Sequence, residues 1–312
     1  MEKPKVLILL AAYNGEPYIR QMIESVLNQT HQDFQLILSD DSSGDATAQI
    51  LADYAEKYPQ KVIHYCSGQR FGSAQKHFMH LLCQFQDAPY IMFCDQDDIW
   101  HPDKIEKTLD IMIGAETDRE VPVLVHTDLR VVGGNGELIA PSFCAHSAID
   151  GNRLQLNQLL VQNVVTGCTV MINHSLAQLV SRNYDAEAML MHDWWLALLA
   201  SACGKIAFFH EATMDYRQHG HNSVGAKNVY APQYLVKRLS SVKMRKSLDD
   251  AANQAQAFLN CYADQLSNQQ VVLIRAFAST RGASILRRDR IYLKYDLLKK
   301  GFVRVCAQLL GL

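Results

Sequence analysis

The sequence predicts an α/β protein, in which a mostly parallel sheet with helices on both faces is followed by a C-terminal helical region. Three observations lead to this fold class. Short apolar runs alternate with amphipathic helical patterns over the first third of the chain. Polar loops, several of them containing glycine, follow those apolar runs. From Ala231 onward the pattern is helical throughout and rich in Lys and Arg.

The first third of the chain contains four predicted strands, each followed by a helix. Residues 6–12 form a continuous apolar run, which is typical of a strand covered on both faces. In the next segment, apolar residues such as Ile19, Ile23 and Val26 recur at helical spacing. The predicted strands are 6–12, 34–39, 62–66 and 90–94, and the helices are 16–29, 46–57, 74–85 and one that begins near Pro102. This alternation implies right-handed crossovers between parallel strands.

The middle third of the chain is less regular. Strands are predicted at 121–126, 128–132, 164–172 and 206–209, and a helix at 192–203. A turn is expected at 133–136, and residues 218–228, rich in Gly, Asn and Ser, are expected to form a mobile loop. We therefore expect two parts. One is an α/β domain at 1–228, with halves at 1–115 and 116–228, and the other is a basic helical region at 229–312.

Charge is unevenly distributed along the 312 residues, although the net charge is only −2. Residues 231–312 contain 14 Lys/Arg and 5 Asp/Glu, whereas residues 1–230 contain 16 and 27. This asymmetry favours an acidic partner or an anionic membrane for the basic end, and a solvated helical face is the alternative interpretation. No recognition motif for nucleic acid accompanies the basic residues, so nucleic acid is not an expected partner.

The cysteines and apolar runs indicate the compartment. The eight cysteines include no CxxC pair, and several lie within apolar runs, as Cys66, Cys94 and Cys203 do. They are interpreted as small buried hydrophobic residues in a reducing compartment. The apolar run at 6–12 is too short for a signal peptide, and no stretch is long enough to span a bilayer. A cytoplasmic location is therefore expected.

Carboxylates follow the fourth predicted strand, in the segment Asp95-Gln96-Asp97-Asp98. The carboxyl ends of parallel strands meet at one edge of a sheet, where open α/β folds bind ligands. Carboxylate oxygens suit Mg²⁺ or Mn²⁺, ions that commonly share their coordination with substrate phosphates. Loops at 12–15, 40–43 and 71–73 are expected at the same edge. Together they indicate a site for a nucleoside diphosphate, although neither GxGxxG nor GxxxxGKS/T is present.

Taken singly, these elements have simpler interpretations. Residues 40–43 could cap the helix that follows them. Tyr13 could be a packing residue, and Asp193 could be a carboxylate that interacts favourably with the N-terminal end of a helix. Their combination, in order and at successive strand ends, favours a site.

Six groups of residues occur in a fixed order along the chain. They are Ala11-Ala12-Tyr13-Asn14-Gly15, Ser39-Asp40-Asp41-Ser42-Ser43, Asp95-Gln96-Asp97-Asp98-Ile99-Trp100 with Pro102-Asp103-Lys104, Val165-Thr166-Gly167-Cys168-Thr169, Met191-His192-Asp193-Trp194-Trp195 and Tyr216-Arg217-Gln218-His219-Gly220. This set resembles the inverting nucleotide-sugar glycosyltransferases of family two, which have the Rossmann-like GT-A fold. The resemblance covers about residues 5–225. Its later motifs look most like bacterial surface-polysaccharide transferases, including rhamnosyltransferases.

The resemblance implies roles for residues in the first half of the α/β domain, which would bind the nucleotide. Tyr13 would lie against the donor base, Asp41 would accept hydrogen bonds from the base edge, and Asp95 would approach the ribose. Asp97 would ligate the metal ion that bridges the diphosphate. The implied nucleotide-binding residues are Ala12, Tyr13, Asp41, Lys76, Asp95 and Gln96.

The second half of the domain would bind the acceptor. Asp193 matches the catalytic base of the family. His219 matches a histidine that completes the metal site or contacts the diphosphate, with His221 as the alternative. For Gly167 and Cys168, a kink in a buried strand is an equally good interpretation. The residues implied to line the donor sugar or the acceptor are Gly167, Cys168, His192 and Trp194.

The implied function is inverting transfer of a sugar from a UDP- or dTDP-linked donor to a hydroxyl of a glycan or lipid-linked acceptor. It would serve bacterial polysaccharide biosynthesis with Mn²⁺ or Mg²⁺. Two alternatives are a non-catalytic nucleotide-sugar binder or scaffold of a polysaccharide assembly complex, and a sugar-1-phosphate nucleotidyltransferase. The second would need a basic, Gly-rich loop where Tyr13-Asn14-Gly15-Glu16 stands. The basic C-terminal region would suit peripheral contact with the inner face of the cell membrane, a helical cap or a dimer surface.

Overall fold

A computed structural model of the protein describes residues 4–219 and 241–309. Its strands are β1 (Val6–Ala12), β2 (Phe34–Asp40), β3 (Val62–Tyr65), β4 (Tyr90–Asp95), β5 (Ile99–Trp100), β6 (Val123–Gly133), β7 (Leu138–Ala140), β8 (Met171–Asn173) and β9 (Lys205–Gln218). Its helices are α1 (Ile19–Leu27), α2 (Thr47–Lys57), α3 (Ala74–Gln84), α4 (Lys104–Ala115), α5 (Phe143–His146), α6 (Leu156–Val161), α7 (His174–Arg182), α8 (His192–Cys203), α9 (Ser241–Tyr262), α10 (Asn268–Ala278), α11 (Ile285–Lys294) and α12 (Phe302–Leu309).

The strands form one sheet in the order β3-β2-β1-β4-β8-β6-β9-β5, with β7 paired to β6. β1 is parallel to β2 and to β4, and β2 is parallel to β3, so these four strands form the predicted parallel sheet. Beyond β4 the sheet is mixed, because β8 is antiparallel to β4 and β6 while β6 and β9 are parallel. The predicted α/β class is confirmed, with parallel pairing dominant in the first half.

The register aligns the carboxyl ends of β1, β2 and β4. Ala11 lies beside Ser39 on one side and beside Asp95 on the other, and Ala12 lies beside Asp40. Because these three strands end together, the loops that follow them share one edge of the sheet. This is the edge at which the sequence predicted a ligand site.

All four strands predicted in the middle third differ from the observed ones. The pair predicted at 121–126 and 128–132 is one strand, β6, with a register shift after Thr127, and the strand predicted at 206–209 belongs to the longer β9. The strand predicted at 164–172 is wrong over most of its length, because a 3₁₀ turn occupies Gly167–Thr169 and β8 begins at Met171. Valines before the turn favour a strand locally, but the backbone N–H of Val170 donates to the Gly167 carbonyl and the chain turns there.

Two apolar clusters cover the two faces of the sheet. Alternate residues of β1 belong to different clusters, with Leu7 and Leu9 in one and Ile8 and Leu10 in the other. A strand buried on both faces requires this arrangement. Helices α1, α2 and α4 contribute to the cluster of Ile8 and Leu10, whereas α3 and α6–α11 contribute to the cluster of Leu7 and Leu9.

The C-terminal helices pack on the same face of the sheet as α6 and α8. The ring of Trp195 lies 5.6 Å from the ring of Phe258 and 6.1 Å from that of Tyr262, measured between centroids. Its Nε1 also donates to the Tyr262 hydroxyl at 3.1 Å. The predicted helical C-terminal region is therefore confirmed over 241–309, and it shares a core with the α/β part. None of the helices in the described ranges has the length and apolarity that a membrane span requires.

Candidate active site

A cavity of about 510 Å³ opens at the edge where β1, β2 and β4 end. Its volume lies in the range of small-molecule sites. The loops after these strands form one wall, and residues 163–167 with the N-terminus of α8 form the other. Of the residues implied by the sequence resemblance, those that line the cavity are Ala12, Tyr13, Asp41, Asp95, Gln96, Asp97, Gly167, His192, Asp193 and Trp194.

Tyr13 presents a partly exposed ring to the cavity and is braced by two neighbours. Its backbone N–H donates to Gln96 Oε1 at 2.7 Å, and Gln96 Nε2 donates to the Tyr13 carbonyl at 2.9 Å. Arg70 Nη2 donates to the Tyr13 hydroxyl at 3.1 Å, and the guanidinium lies 5.4 Å from the ring centroid. A ring fixed in this way offers a flat surface on which a nucleobase can stack.

Asp41 accepts hydrogen bonds from the backbone of the loop that follows β3. Gly72 N donates to Asp41 Oδ2 at 2.8 Å, and Phe71 N donates to Oδ1. Gly72 has a φ of +73°, a left-handed conformation that glycine adopts without strain. Asp41 therefore holds this loop against the cavity, and each carboxylate oxygen has a further lone pair for a ligand.

Lys76 itself does not line the cavity, although its neighbours Ala74 and His77 do. Its Nζ forms an ion pair with Glu187 Oε1. Arg70 is the cation that lines this wall instead. Sequence reasoning missed Arg70, for which the available signal was a basic residue two positions before Gly72.

The carboxylates after β4 meet the end of β9. His219 Nε2 lies 2.7 Å from Asp97 Oδ2, and the His219 ring stacks on Tyr18 with a centroid distance of 4.8 Å. Arg217 Nε donates to the Asp97 carbonyl at 3.0 Å and Arg217 Nη2 to Gln21 Oε1 at 2.7 Å, which fixes both segments. The two implied metal ligands are thus adjacent. His221 and most of the loop predicted at 218–228 lie outside the described residues.

Three carboxylates, Asp95, Asp97 and Asp98, are crowded at this corner, and the first two line the cavity. Burial, together with the charges of Asp97 and Asp193, raises the pKa of Asp95 to about 7. Burial and the charges of Asp97 and Asp95 hold the pKa of Asp98 well above its usual range. A bound cation relieves such crowding. Because Asp97 offers carboxylate oxygen and His219 offers imidazole nitrogen, the residues fit a divalent ion.

A second group of donor atoms lies deeper in the protein. One ligand atom each from Asp95, Asp98 and Cys168 lies within 4.8 Å of the others. Burial and the nearby carboxylates raise the pKa of the Cys168 thiol well above its usual range. Sulfur is also a softer ligand than Mg²⁺ or Mn²⁺ prefers. Cys168 is buried behind the cavity wall, and the corner formed by Asp97 and His219 is the better candidate for an ion.

Asp193 lies in the first turn of α8 and lines the second wall. Asn163 Nδ2 donates to its Oδ1 at 3.0 Å. Burial raises the pKa of Asp193 to about 7. Hydrogen bonds from the backbone of Trp194 and Gly167 and from the Asn163 side chain lower this pKa, but the effect of burial is larger. A carboxylate with this pKa can take up a proton near neutral pH, as a general base does. Asn163 carried no recognised motif, and sequence reasoning missed it.

His192 lies in the same wall and has apolar neighbours. Its ring packs against Phe78 and Phe93, with centroid distances of 4.5 and 5.2 Å. Burial lowers its pKa to about 3, so the imidazole is neutral. Within the described ranges, neither of its buried ring nitrogens has a hydrogen-bond partner. Gly167 makes this placement possible, because a Cβ there would lie 2.8 Å from His192 Nε2. Such nitrogens at a cavity wall are suited to a ligand hydroxyl.

The two tryptophans after Asp193 have different environments. Trp194 lines the cavity, and its Nε1 donates to the Leu159 carbonyl at 2.6 Å. Trp195 is fully buried in the core. Of the pair, Trp194 is the one placed to meet a sugar.

The sheet order and the acidic cavity at its carboxyl edge agree with the GT-A glycosyltransferase fold that the motifs predicted. Residues 7–175, more than half of the chain, match the model of glycosyl transferase family 2. The chain belongs to this family, and the resemblance inferred from the motifs is confirmed.

Related sequences agree with this assignment. The chain is 28% identical over 303 residues to the dTDP-rhamnosyl transferase RfbG of Shigella flexneri, an alignment that covers 93% of this chain and 99% of that protein. It is 34% identical over 111 residues to the putative teichuronic acid biosynthesis glycosyltransferase TuaG of Bacillus subtilis, covering 36% of this chain and 43% of that protein.

Solved structures share the fold at low sequence identity. The TarS fragment 1–349 of S. aureus in complex with UDP-GlcNAc has a TM-score of 0.57 at 16% identity, covering 93% of this chain and 80% of that chain. The mannosyltransferase PcManGT of Pyrobaculum calidifontis, in complex with GDP-Man and Mn²⁺, has a TM-score of 0.51 at 13% identity, covering 99% and 86%. These similarities show the predicted GT-A fold.

Proposed function

We propose that this glycosyltransferase moves a sugar from a nucleoside-diphosphate donor to a hydroxyl of a glycan or lipid-linked acceptor, with inversion of the anomeric carbon. The observation that carries the proposal is the presence, in one cavity, of a buried carboxylate with a pKa of about 7, Asp193, and the acidic corner formed by Asp97 and His219. One base and one displacement invert the configuration, because the hydroxyl attacks the face opposite the leaving diphosphate.

The first wall of the cavity would bind the nucleotide. Tyr13 stacks on the base, Asp41 accepts from the base edge, and Asp95 approaches the ribose. The backbone of Ala12 and the amide of Gln96 complete this surface. Arg70 is proposed as the basic residue near the nucleotide in place of Lys76, because Arg70 lines the cavity and the ammonium of Lys76 is paired with Glu187.

Asp97 and His219 would hold the divalent ion, either Mn²⁺ or Mg²⁺. When bound there, such an ion stabilises the negative charge of the diphosphate. Arg217 keeps this corner in place through its hydrogen bond to the Asp97 carbonyl. Hydrogen bonds within the protein therefore hold the two proposed ligands of the ion beside each other.

Asp193 would take the proton of the acceptor hydroxyl. General base catalysis of this kind contributes roughly 10²–10⁴-fold to the rate. Hydrogen bonds from Asn163 and from the backbone of Trp194 and Gly167 orient the carboxylate, which lines the cavity. His192 and Trp194 contact the sugar or the acceptor, while Gly167 gives His192 its space. The buried position of Cys168 supports the structural interpretation of that residue.

The proposed donor is a UDP- or dTDP-linked sugar, and dTDP-rhamnose is the first to test. A relative aligned over 93% of this chain bears the name dTDP-rhamnosyl transferase. A role in bacterial polysaccharide biosynthesis is proposed as well, and the name of the relative TuaG, which refers to teichuronic acid biosynthesis, supports it. The division of the chain at residue 228, the cytoplasmic location and the contact with the inner face of the cell membrane stay predictions.

A screen of nucleotide sugars by thermal shift, with and without Mn²⁺, tests the proposal. A ligand that binds the native state raises the apparent stability by mass action, so the donor should give the largest Mn²⁺-dependent shift. Slow release of the nucleoside diphosphate and an inverted anomeric signal in the NMR spectrum of the product are then expected. Binding without any turnover of the donor would favour the non-catalytic nucleotide-sugar binder instead.

A further inference from the structure

Among the described residues, the large apolar side chains with the highest exposed fractions lie on helix α11 and at the start of α12. Leu286 is 83% exposed, Leu293 is 62% exposed and Phe302 is 84% exposed, and Ile285 and Val303 are also exposed. We call these five residues the C-terminal apolar face. Elsewhere in residues 4–219 and 241–309, exposed large apolar side chains are scattered singly or in pairs. A concentration of this kind marks an interaction surface.

Cations are interleaved with this face. Leu286, Arg290 and Leu293 are spaced four and three residues apart, so they lie on one side of α11. Arg287 and Lys294 flank them and are also exposed. Over the part of the chain that the structure describes, no carboxylate forms an ion pair with any of these three cations. An apolar stripe bordered by Arg and Lys is typical of helices that lie in a bilayer interface.

Buried residues of these two helices and of the segment between them fix the C-terminal apolar face to the protein. Tyr292 and Leu297 are fully buried. Arg304 Nη2 donates to the Ser147 carbonyl at 2.6 Å, and Gln308 Nε2 donates to the Leu297 carbonyl at 2.7 Å. Since these anchors fix α11 and α12 to the body of the protein, the apolar side chains are not exposed by fraying of the chain end.

We propose that the C-terminal apolar face is a docking surface for an anionic bilayer. Apolar side chains would enter the interface, and Arg287, Arg290 and Lys294 would meet the lipid phosphates. A second copy of the chain is the less suitable partner, because a symmetric contact would bring these cations against the same cations of the other copy. A bilayer with anionic lipids complements both the apolar and the charged parts.

The anchor of this surface also reaches the cavity. Arg304 holds the carbonyls of Ser147 and Ala148, and the next residue, Ile149, lines the cavity. Arg304 therefore links the helix that carries Phe302 to a segment that lines the cavity. This link suits a lipid-linked acceptor, an inference that rests on the proposed function, whereas the docking itself does not.

Flotation of the full chain with vesicles tests the docking surface. Binding is expected to phosphatidylcholine vesicles that contain about one-third phosphatidylglycerol and to be far weaker with phosphatidylcholine alone. Leu286→Ser combined with Phe302→Ser is expected to weaken binding at least roughly tenfold. The triple change Arg287→Gln, Arg290→Gln and Lys294→Gln is expected to weaken it roughly a hundredfold, at about fivefold for each cation.

A matched control is Ile113→Ser, which removes an exposed apolar side chain from α4 and should leave flotation unchanged. UDP binding should be unaffected in every variant, so failure of the docking proposal can be told apart from failure of the proposed function. Equal flotation of the wild type and both surface variants would overturn the proposal. So would absence of vesicle binding together with a dimer, measured by light scattering, that the Leu286→Ser and Phe302→Ser variant loses.

Discussion

Replacing Asp193 with Asn is expected to remove catalysis and, at the same time, to stabilise the protein near neutral pH. Burial raises the pKa of Asp193 from 3.8 to about 7. This change corresponds to a penalty of up to about 4 kcal/mol on the charged form. Asn has nearly the same shape, stays neutral and can still accept the hydrogen bond from Asn163. The variant therefore removes the charge and the capacity to take a proton while keeping the packing.

The pH dependence of this stabilisation follows from the direction of the pKa change. Below pH 3.8 the carboxyl of Asp193 is protonated in the folded and the unfolded chain and contributes nothing. Between 3.8 and about 7 the unfolded chain ionises while the folded protein stays protonated, so wild-type stability falls as pH rises. Above about pH 7 the carboxyl is ionised in both states, and the full free-energy cost of its burial as a charged group remains. The Tm advantage of the variant should widen over this window and then level off.

The activity of the wild type should also depend on the ionisation of Asp193, but it should rise with pH where the stability falls. Loss of the base is expected to lower kcat roughly 10²–10⁴-fold. Wild-type kcat/KM should rise about tenfold per pH unit below about pH 7 and then level off. Thermal unfolding over a pH series and release of nucleoside diphosphate measure the two effects, with Asp264→Asn, at an exposed carboxylate, as the control. An Asp193→Asn variant that is fully active, or less stable than wild type at every pH, would refute the reasoning.

The other predictions concern the metal corner and the two cavity walls. Asp97→Asn is expected to weaken Mn²⁺-dependent UDP binding roughly tenfold or more in calorimetry, and an unchanged Mn²⁺ dependence would argue against this site. Gly167→Ala should lower the free energy of unfolding by about 1–3 kcal/mol in urea, because the new Cβ meets His192 Nε2 at 2.8 Å. In a His192→Ala background the same glycine change should cost much less, because the ring that the new Cβ would meet is gone. Arg70→Gln should weaken UDP binding roughly tenfold and Lys76→Gln far less, and the reverse order would return Lys76 to the nucleotide site.

The first half of the fold could be predicted from the sequence because its signals are local. The apolar run of β1 matches residues 6–12 in the structure, since a strand buried on both faces needs an uninterrupted apolar segment. The parallel order then brings the ends of β1, β2 and β4 together without further information. Since the loops after these strands share one edge of the sheet, Tyr13, Asp41 and Asp97 are expected to line the same site, as they do.

Features that depend on distant partners could not be predicted in this way. The valines before Gly167 favour a strand, but the turn at Gly167–Thr169 accommodates the His192 ring, which comes from another helix. The sequence does not show which of Lys76 and Arg70 lies at the cavity. In the structure Lys76 forms an ion pair with Glu187, whereas Arg70 lines the cavity. Propensity and motif spacing carry no information about these long-range contacts.

Anomalous diffraction from crystals grown with Mn²⁺ and UDP or dTDP would locate the ion and the nucleotide in one experiment. One manganese peak is expected beside Asp97 and His219, with the diphosphate against it, the base on Tyr13 and the Asp193 carboxylate facing the same cavity. A manganese peak at Asp95, Asp98 and Cys168 instead, or a nucleotide bound away from this cavity, would contradict the proposed site.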